Sequence, residues 1–312
     1  IICRIMLVSF IVALSFFNTV DIQNLRAIMV TDKKDNIVKM KQHILCIMMA
    51  YPDYVTDLKL DENDREYMIL KSGKEILYDD GVSKSPEEKM LNPDLEDMME
   101  PIYPLGPVDK LMDLNHDPGR IRIYPLLKEV YGESKNEIEQ NLDVISTSYG
   151  NLRFNRNNNA SLALKAVMDE LIPLAQSRPD IKAYVAPYSG TFYYRNISGT
   201  KLLSAHSFGI AIDLVYNRKD YWKWASREEG QKRLESYPKE IVEIFEKNNF
   251  IWGGKWGHFD LFHFEYRPEI IMMSRFFGNR NNEPQFWYNG APVDNDEVKS
   301  YIKKIDETFE NL

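Results

Sequence analysis

Two short segments constrain this chain more than any other part of its sequence. The first runs from Ser204 to Asp213 and reads S-A-H-S-F-G-I-A-I-D, and the second runs from Asp260 to Glu265 and reads D-L-F-H-F-E. Together they supply two imidazoles, one carboxylate ligand and a further carboxylate three positions before the second histidine. A hydrolytic zinc site needs three protein ligands, an open position for water and a base. The two segments contain these groups.

The residues around Asp213 alternate in a way that predicts a strand over 209–215. Apolar side chains at 210, 212 and 214 alternate with small residues at 209 and 211 and with Asp213. The face that carries Asp213 therefore has little side-chain volume and leaves room for an ion and a substrate. His206 precedes the strand and can fold over that gap. Imidazole and carboxylate suit zinc, although manganese and iron accept the same ligand types.

His263 lies between two phenylalanines in a second predicted strand. Asp260 would face the opposite side if both residues lay on one regular strand, because a separation of three reverses the face. We therefore expect Asp260 in a loop or bulge, from which it can approach the reacting water. Gly253 and Gly254 suit a tight loop with a close backbone approach.

The two motifs match S-x-H-x-x-G-x-A-x-D followed by a carboxylate-x-x-His. This combination resembles the peptidase M15 family, zinc metallopeptidases of the D-alanyl-D-alanine carboxypeptidase and dipeptidase type with a hedgehog-like zinc fold. The resemblance implies that His206, Asp213 and His263 hold one Zn²⁺ ion. It also implies that Asp260 is the general base, where many relatives carry the longer Glu.

Four further residues are candidates for the site. Arg195 would stabilise the oxyanion, because related enzymes place an arginine on the strand before the first metal motif; otherwise it is a surface residue stacked on a tyrosine. Ser204 would bind the terminal carboxylate of the substrate or position the loop of the first histidine. Glu265 would orient His263 or act as a rival base. His258 is either a substrate-binding group or, as we expect, an exposed loop residue.

Composition and charge restrict the partners and the location of the protein. A net charge of −8 and an isoelectric point near 5.3 argue against a nucleic-acid partner. The uncharged, mostly apolar run Ile5–Phe17 follows Arg4, as in a signal peptide, and is too short to span a bilayer comfortably. We therefore expect export to the periplasm or cell envelope, with membrane contact only through an uncleaved N-terminal anchor. A buried N-terminal helix is the alternative for this run.

The chain divides into four predicted regions. A signal peptide or anchor at 1–19 precedes an extension at 20–120 that wraps the catalytic unit. The zinc metallopeptidase domain covers 121–270, and a tail with a helix covers 271–312. The mixture of helices and short strands predicts an α+β fold with a small antiparallel sheet that carries the zinc site, flanked by helices and preceded by an irregular N-terminal extension.

Several elements can be predicted from periodicity. Helical spacing predicts helices over 160–176 and 238–248. Strands are predicted over 181–186 and 191–195, and a hairpin over 67–78 with its turn at Ser72-Gly73-Lys74. The aromatic run Tyr221–Trp224 either walls a cleft or belongs to the core.

The resemblance implies a zinc-dependent peptidase that hydrolyses peptidoglycan stem peptides as a D-alanyl-D-alanine carboxypeptidase or dipeptidase. An endopeptidase that cuts between L-Ala and D-Glu, or within a cross-bridge, shares the same motif and stays an alternative. A non-catalytic zinc-fold binding module of the cell envelope is an alternative of another class. A third alternative is that the histidines are structural and bind no metal.

Overall fold

The computed structural model describes residues 34–278, 285–310 and 312. The predicted leader at 1–19 lies outside these residues. Within the described ranges, no helix combines the length and the apolar character needed to cross a membrane.

The described part of the N-terminal extension contains a helix and a small sheet. Helix α1 covers the described residues 34–50 and is largely buried from residue 43 onward. A three-stranded antiparallel sheet follows in the order β1-β2-β3, with bounds β1 Val55–Leu60, β2 Glu66–Leu70 and β3 Glu75–Leu77. The predicted hairpin over 67–78 is confirmed as β2 and β3. Strand β1 adds a third strand to this hairpin, so this part of the extension contains more regular structure than expected.

Two short helices complete the extension, α2 Pro86–Leu91 and α3 Leu95–Met99. Each begins with a capping box, in which Ser85 pairs with Glu88 and Asp94 pairs with Asp97. The side chains that satisfy the first backbone N–H groups thus come from the sequence immediately around each helix.

The next part of the chain is a helical layer with a hairpin, in which α6 packs against the strands β4 and β5. Its elements are α4 Tyr124–Tyr131, α5 Lys135–Gln140, β4 Leu142–Thr147, β5 Gly150–Asn155, α6 Ala160–Ser177 and α7 Pro179–Val185. The predicted helix over 160–176 is confirmed as α6, whose buried Leu164, Val167, Met168 and Leu171 follow helical spacing.

Two strand predictions are wrong. Residues 181–186 lie mostly in helix α7, which has Pro179 in its first turn and buries Ile181 and Val185 one turn apart. A spacing of four puts two residues on one face of either a helix or a strand, so the periodicity could not decide, and Pro179 in the first turn favours the helix. Residues 191–195 form no strand either; Asn196 makes an isolated bridge with Leu203 instead.

The last part of the chain carries a three-stranded antiparallel sheet in the order β6-β8-β7. Its elements are α8 Ala205–Phe208, β6 Ala211–Asp213, α9 Arg227–Glu235, α10 Lys239–Lys247, β7 Phe250–Trp252, β8 His263–Tyr266, α11 Pro268–Phe277 and α12 Asp296–Thr308. The predicted helix over 238–248 is confirmed as α10. The α+β class with a small antiparallel sheet is confirmed as well.

The strand predicted over 209–215 is shorter than expected, because Gly209 ends helix α8 with a left-handed φ of 70°. A Cβ at this position would lie 2.6 Å from Leu142 Cδ2 and 3.3 Å from the backbone nitrogen of Asn155. That nitrogen donates to the Gly209 carbonyl at 2.8 Å. Gly209 is therefore required both for its backbone conformation and for close contact with the hairpin β4–β5.

The C-terminal helix returns to the N-terminal sheet. The side chain of Asn295 caps α12, and Lys304 Nζ lies 2.8 Å from Asp57 Oδ1 on β1. Lys41 Nζ on α1 lies 2.7 Å from Asp306 Oδ1. The tail and the extension thus support each other on one side of the molecule.

We predict that Gly209→Ala lowers the free energy of unfolding by about 2–4 kcal/mol, because a left-handed Ala and a steric overlap both add cost. Gly73→Ala is the matched control: Gly73 has a φ of 84° but open space around its Cβ position. It should cost only about 1–2 kcal/mol. Urea unfolding followed by circular dichroism measures both. Equal losses would show that close packing at Gly209 contributes nothing.

Candidate metal centre and catalytic cleft

Three ligand side chains converge at the end of the β6-β8-β7 sheet. The register pairs Asp213 on β6 directly with His263 on β8, and helix α8 brings His206 to the same point. His263 Nδ1 lies 2.9 Å from Asp213 Oδ1, and His206 Nε2 lies 3.2 Å from the same oxygen. One ligand atom from each residue lies within 4.8 Å of the other two. The structure thus brings together the three residues predicted to hold a metal.

Each imidazole has a partner that orients it. His206 Nδ1 lies 2.6 Å from the carbonyl oxygen of Thr191. Because a carbonyl only accepts, Nδ1 carries the hydrogen and Nε2 keeps its lone pair for the convergence point. His263 Nε2 lies 3.6 Å from Glu265 Oε2, on the side of the ring away from Asp213. This arrangement is typical of metal-binding histidines held by an outer hydrogen-bond acceptor.

Glu265 is fully buried and committed to neighbouring arginines. Arg122 Nε donates to Oε1 at 2.8 Å, Arg122 Nη2 donates to Oε2, and Arg267 Nη1 lies 3.5 Å from Oε1. Burial raises the pKa of Glu265, but Arg122 and the bond to His263 outweigh it, so the pKa lies well below its ordinary value. Both oxygens are thus held by charged donors. This placement supports a role in orienting His263 and disfavours Glu265 as the base.

Asp260 precedes β8 and lies outside the regular strand, as expected. It forms an isolated bridge with Tyr221, and its buried Oδ1 has no hydrogen-bond partner among the described residues. Burial raises the pKa of Asp260 to about 8. A Cβ on Gly253 would lie 2.5 Å from the Asp260 carbonyl oxygen, so the predicted close backbone approach at Gly253 is confirmed. A buried carboxyl oxygen without a partner is costly unless a function uses it.

The charges of Asp213 and of the two histidines beside it depend strongly on each other. Burial raises the pKa of Asp213, but the adjacent His206 and His263 outweigh it and the net pKa is well below normal. Burial lowers the pKa of His263, but hydrogen bonds to Asp213 and Glu265 raise it to about 10. In the metal-free protein a proton therefore lies where a cation would bind.

A cavity of about 470 Å³ opens directly onto these residues. Asp213, His206, His263 and Asp260 lie along it, and the aromatic run predicted to wall a cleft contributes Tyr221, Trp222 and Trp224. The Trp224 ring stacks edge-on against Tyr221 with centroids 4.7 Å apart. The cavity has room for a peptide beside the ligand cluster.

Arg195 and Ser204 also line this cavity, although Arg195 is in a loop rather than on the predicted strand. Ser207 Oγ accepts from the Arg195 backbone N–H at 2.9 Å and donates to the Arg195 carbonyl at 2.6 Å. Ser204 Oγ lies 3.2 Å from Ser207 Oγ, and the Ser204 N–H donates to the Arg195 carbonyl. The two serines therefore hold the Arg195 segment against the first metal motif.

The structure adds residues that the sequence did not single out. Arg120 and Arg122 line the cavity from the end of the N-terminal region, and Asp117 lies behind them. His258 is half-buried rather than exposed, because its ring pairs with Asp117. No local pattern could reveal these contacts, since Asp117 and His258 are separated by 141 residues.

A second acidic group lies in the N-terminal extension. Asp79, Asp80 and Asp94 lie close together, but Lys84 Nζ contacts Asp80 at 2.8 Å and Asp94 at 2.7 Å. An ammonium group thus already pairs with two of the three carboxylates.

The donor set at the sheet end fits a zinc ion. Two imidazole nitrogens and one carboxylate oxygen are the ligands of many catalytic zinc sites, with a fourth position open to solvent or substrate. The cavity borders the cluster, and the carboxyl group of Asp260 stands beside it without a partner among the described residues.

Comparison with known proteins agrees with this geometry. A family model for peptidase M15, described as D-alanyl-D-alanine carboxypeptidase, matches residues 198–266. The matched segment contains the three converging ligands and Asp260. No curated protein and no solved structure matches the chain.

Metal uptake should release protons. Because the pKa of His263 is about 10 without metal, the ring is charged at neutral pH and must lose its proton to bind a cation. Affinity should therefore rise with pH until the ring is neutral. Calorimetric titration with Zn²⁺ in two buffers of different ionisation enthalpy measures the released protons.

His206→Ala should abolish stoichiometric uptake in this titration, whereas His116→Ala, a histidine outside the cluster, should retain it. Metal binding with no buffer dependence, or binding that survives His206→Ala, would contradict the assignment.

Proposed function

Because residues 198–266 belong to the peptidase M15 family, we propose that this protein is a zinc-dependent D-alanyl-D-alanine carboxypeptidase or dipeptidase of peptidoglycan stem peptides. The observation that carries the proposal is the convergence of His206, Asp213 and His263 beside the unpartnered carboxyl group of Asp260, at the edge of an open cleft.

In this proposal His206 Nε2, Asp213 Oδ1 and His263 Nδ1 hold the ion. Zinc supplies Lewis acidity toward the scissile carbonyl and lowers the pKa of a water in its open position. The carboxylate of Asp260 would accept a proton from the attacking water and return it to the leaving amine. Its raised pKa of about 8 suits both steps near neutral pH. Glu265 keeps His263 in the tautomer that leaves Nδ1 free.

Arg195 is the group that we assign to the developing oxyanion. It is exposed and lines the cleft, and it has no ion-pair partner among the described residues. Its guanidinium can therefore turn toward a substrate oxygen without breaking a salt bridge. Positive charge at the developing oxyanion lowers the barrier to acyl transfer. Ser204 contributes by fixing the Arg195 segment and by lining the same cleft.

A peptidoglycan substrate requires a location in the cell envelope. In this proposal the partners are peptidoglycan peptides and not nucleic acid. The family match supports a peptidase for D-alanyl-D-alanine. We propose that the N-terminal segment directs export, either as a signal peptide or as an uncleaved anchor.

An endopeptidase is the second candidate, and one observation favours it. Another cavity, of about 530 Å³, shares Arg122 with the cleft as a lining residue and extends along the N-terminal sheet. It would offer room for more peptide than a terminal dipeptide. A non-catalytic binding module is disfavoured, because it would have no use for a buried carboxyl oxygen, Asp260 Oδ1, that has no partner among the described residues.

Asp260→Asn should retain one zinc ion per chain and lose about 10²- to 10⁴-fold in kcat, because the amide has the same shape but cannot take a proton. Metal analysis and peptide hydrolysis by the same preparation measure both. Full activity in this variant would show that another residue is the general base. Loss of zinc would show that Asp260 supports the ligands.

Incubation with purified muropeptides and mass analysis of the products tests the bond that is cut. Loss of a single terminal alanine is the expected result. Release of D-Ala-D-Ala would indicate a dipeptidase, and an internal cut would establish the endopeptidase. No cleavage by the zinc-loaded protein would contradict the proposed class.

A further inference from the structure

A turn from the N-terminal region is docked beside the catalytic base. Asp117 Oδ1 accepts from the backbone N–H of His258 at 2.9 Å, and Asp117 Oδ2 lies 2.6 Å from His258 Nδ1. The Gly257 N–H donates to the His116 carbonyl at 2.8 Å, and a Cβ on Gly257 would lie 2.1 Å from the Asp113 carbonyl oxygen. The loop that carries His258 and Asp260 is thus shaped to receive this turn.

Asp117 holds a second donor as well. Arg120 Nη1 donates to Asp117 Oδ2 at 2.9 Å, so one carboxylate fixes both Arg120 and His258. Trp222 packs edge-on against the His258 ring with centroids 4.5 Å apart. Both side chains are therefore held in place before any ligand binds, which reduces the entropic cost of recognition.

Both Arg120 and His258 line the cleft with polar atoms still available. Within the described residues, the bond to Asp117 uses only Nη1 of Arg120, and Nε2 of His258 has no partner. Arg122, the other arginine of this wall, is different because Glu265 binds two of its nitrogens. The remaining carboxylates of the cleft, Asp213 and Asp260, belong to the ligand cluster and the base.

We propose that Arg120 and His258 form a subsite for the C-terminal carboxylate of the substrate. The remaining N–H groups of the planar Arg120 guanidinium match the two oxygens of a carboxylate, and the His258 ring lies beside them. The inference rests on the proposed function, because it places this carboxylate on the residue that leaves.

The subsite lies close to Asp260, and this position indicates that it binds the carboxylate of the leaving residue. His258 lies two residues before Asp260 in the same loop, and the Trp222 N–H donates to the carbonyl of Phe259 between them at 3.0 Å. Asp260 delivers its proton to the leaving amine in the proposed mechanism. One residue spans at most about 3.6 Å of chain, so a carboxylate bound near the base belongs to the amino acid that carries this amine. The subsite therefore favours release of one terminal residue over an internal cut.

The test uses the zinc-loaded full chain and two synthetic stem pentapeptides ending in D-Ala-D-Ala, one with a free C-terminal carboxylate and one with a carboxamide. The wild-type protein should prefer the free acid by about 10- to 100-fold in kcat/KM, the value of a lost charge-assisted pair. Arg120→Gln should lose a similar factor on the free acid, mainly through KM, and almost nothing on the amide.

Three variants serve as controls. Arg120→Lys keeps the charge and should recover part of the preference, and His258→Gln should reduce it. Lys165→Gln removes an exposed lysine of α6, far along the chain from the cleft residues, and should match the wild type on both peptides. Thermal unfolding of each variant shows whether it is folded.

Binding without turnover gives a second readout. Zinc-loaded Asp260→Asn protein should bind the free acid more tightly than the amide in calorimetry, and adding Arg120→Gln should remove the difference. Equal treatment of the two peptides by the wild type, or equal losses on both in folded Arg120→Gln protein, would overturn the subsite. Absence of hydrolysis of either peptide, with the binding preference intact, would instead overturn the proposed function alone.

Discussion

The antiparallel pairing of β6 with β8 positions the centre of the site. Its register sets Asp213 opposite His263, and Glu265, two residues further along β8, falls on the same face beneath the second imidazole. Two buried arginines neutralise Glu265, so a fully buried carboxylate can hold the ring without a large desolvation penalty. Removing one partner would leave an unpaired buried charge. The ligand cluster therefore depends on the ion pairs behind it as much as on its own residues.

Both arginines lie outside residues 198–266, which match the family model, and Arg122 precedes them by a long stretch of chain. The region before helix α4 also supplies Arg120 to the cleft wall and Asp117 behind it. It supplies Tyr103 as well, whose hydroxyl donates to the buried Glu246 at 2.6 Å. The matched segment thus holds the three converging ligand side chains and Asp260. Residues before it line the cleft and pair with Glu265. A division of this kind would let one short motif serve sites with different substrates.

The sequence predicted those features that depend on residues close together in the chain. These features include the strand that contains Asp213 and the helices α6 and α10. They also include the position of Asp260 outside a regular strand. The strand predicted over 181–186 was wrong because a few alternating apolar residues fit either periodicity, and Pro179 in the first turn decided for a helix. The pair Asp117–His258 could not be predicted, because only the tertiary fold brings residues so distant in the chain together.

The central claim is that His206, Asp213 and His263 bind one zinc ion in a catalytic geometry with an open position. Crystals of the full chain grown with Zn²⁺, with diffraction measured on both sides of the zinc absorption edge, test it most directly. The account predicts a single strong anomalous peak bonded to His206 Nε2, a carboxylate oxygen of Asp213 and His263 Nδ1, with the carboxyl group of Asp260 beside the open position. A peak elsewhere, or no peak at this cluster, would contradict it.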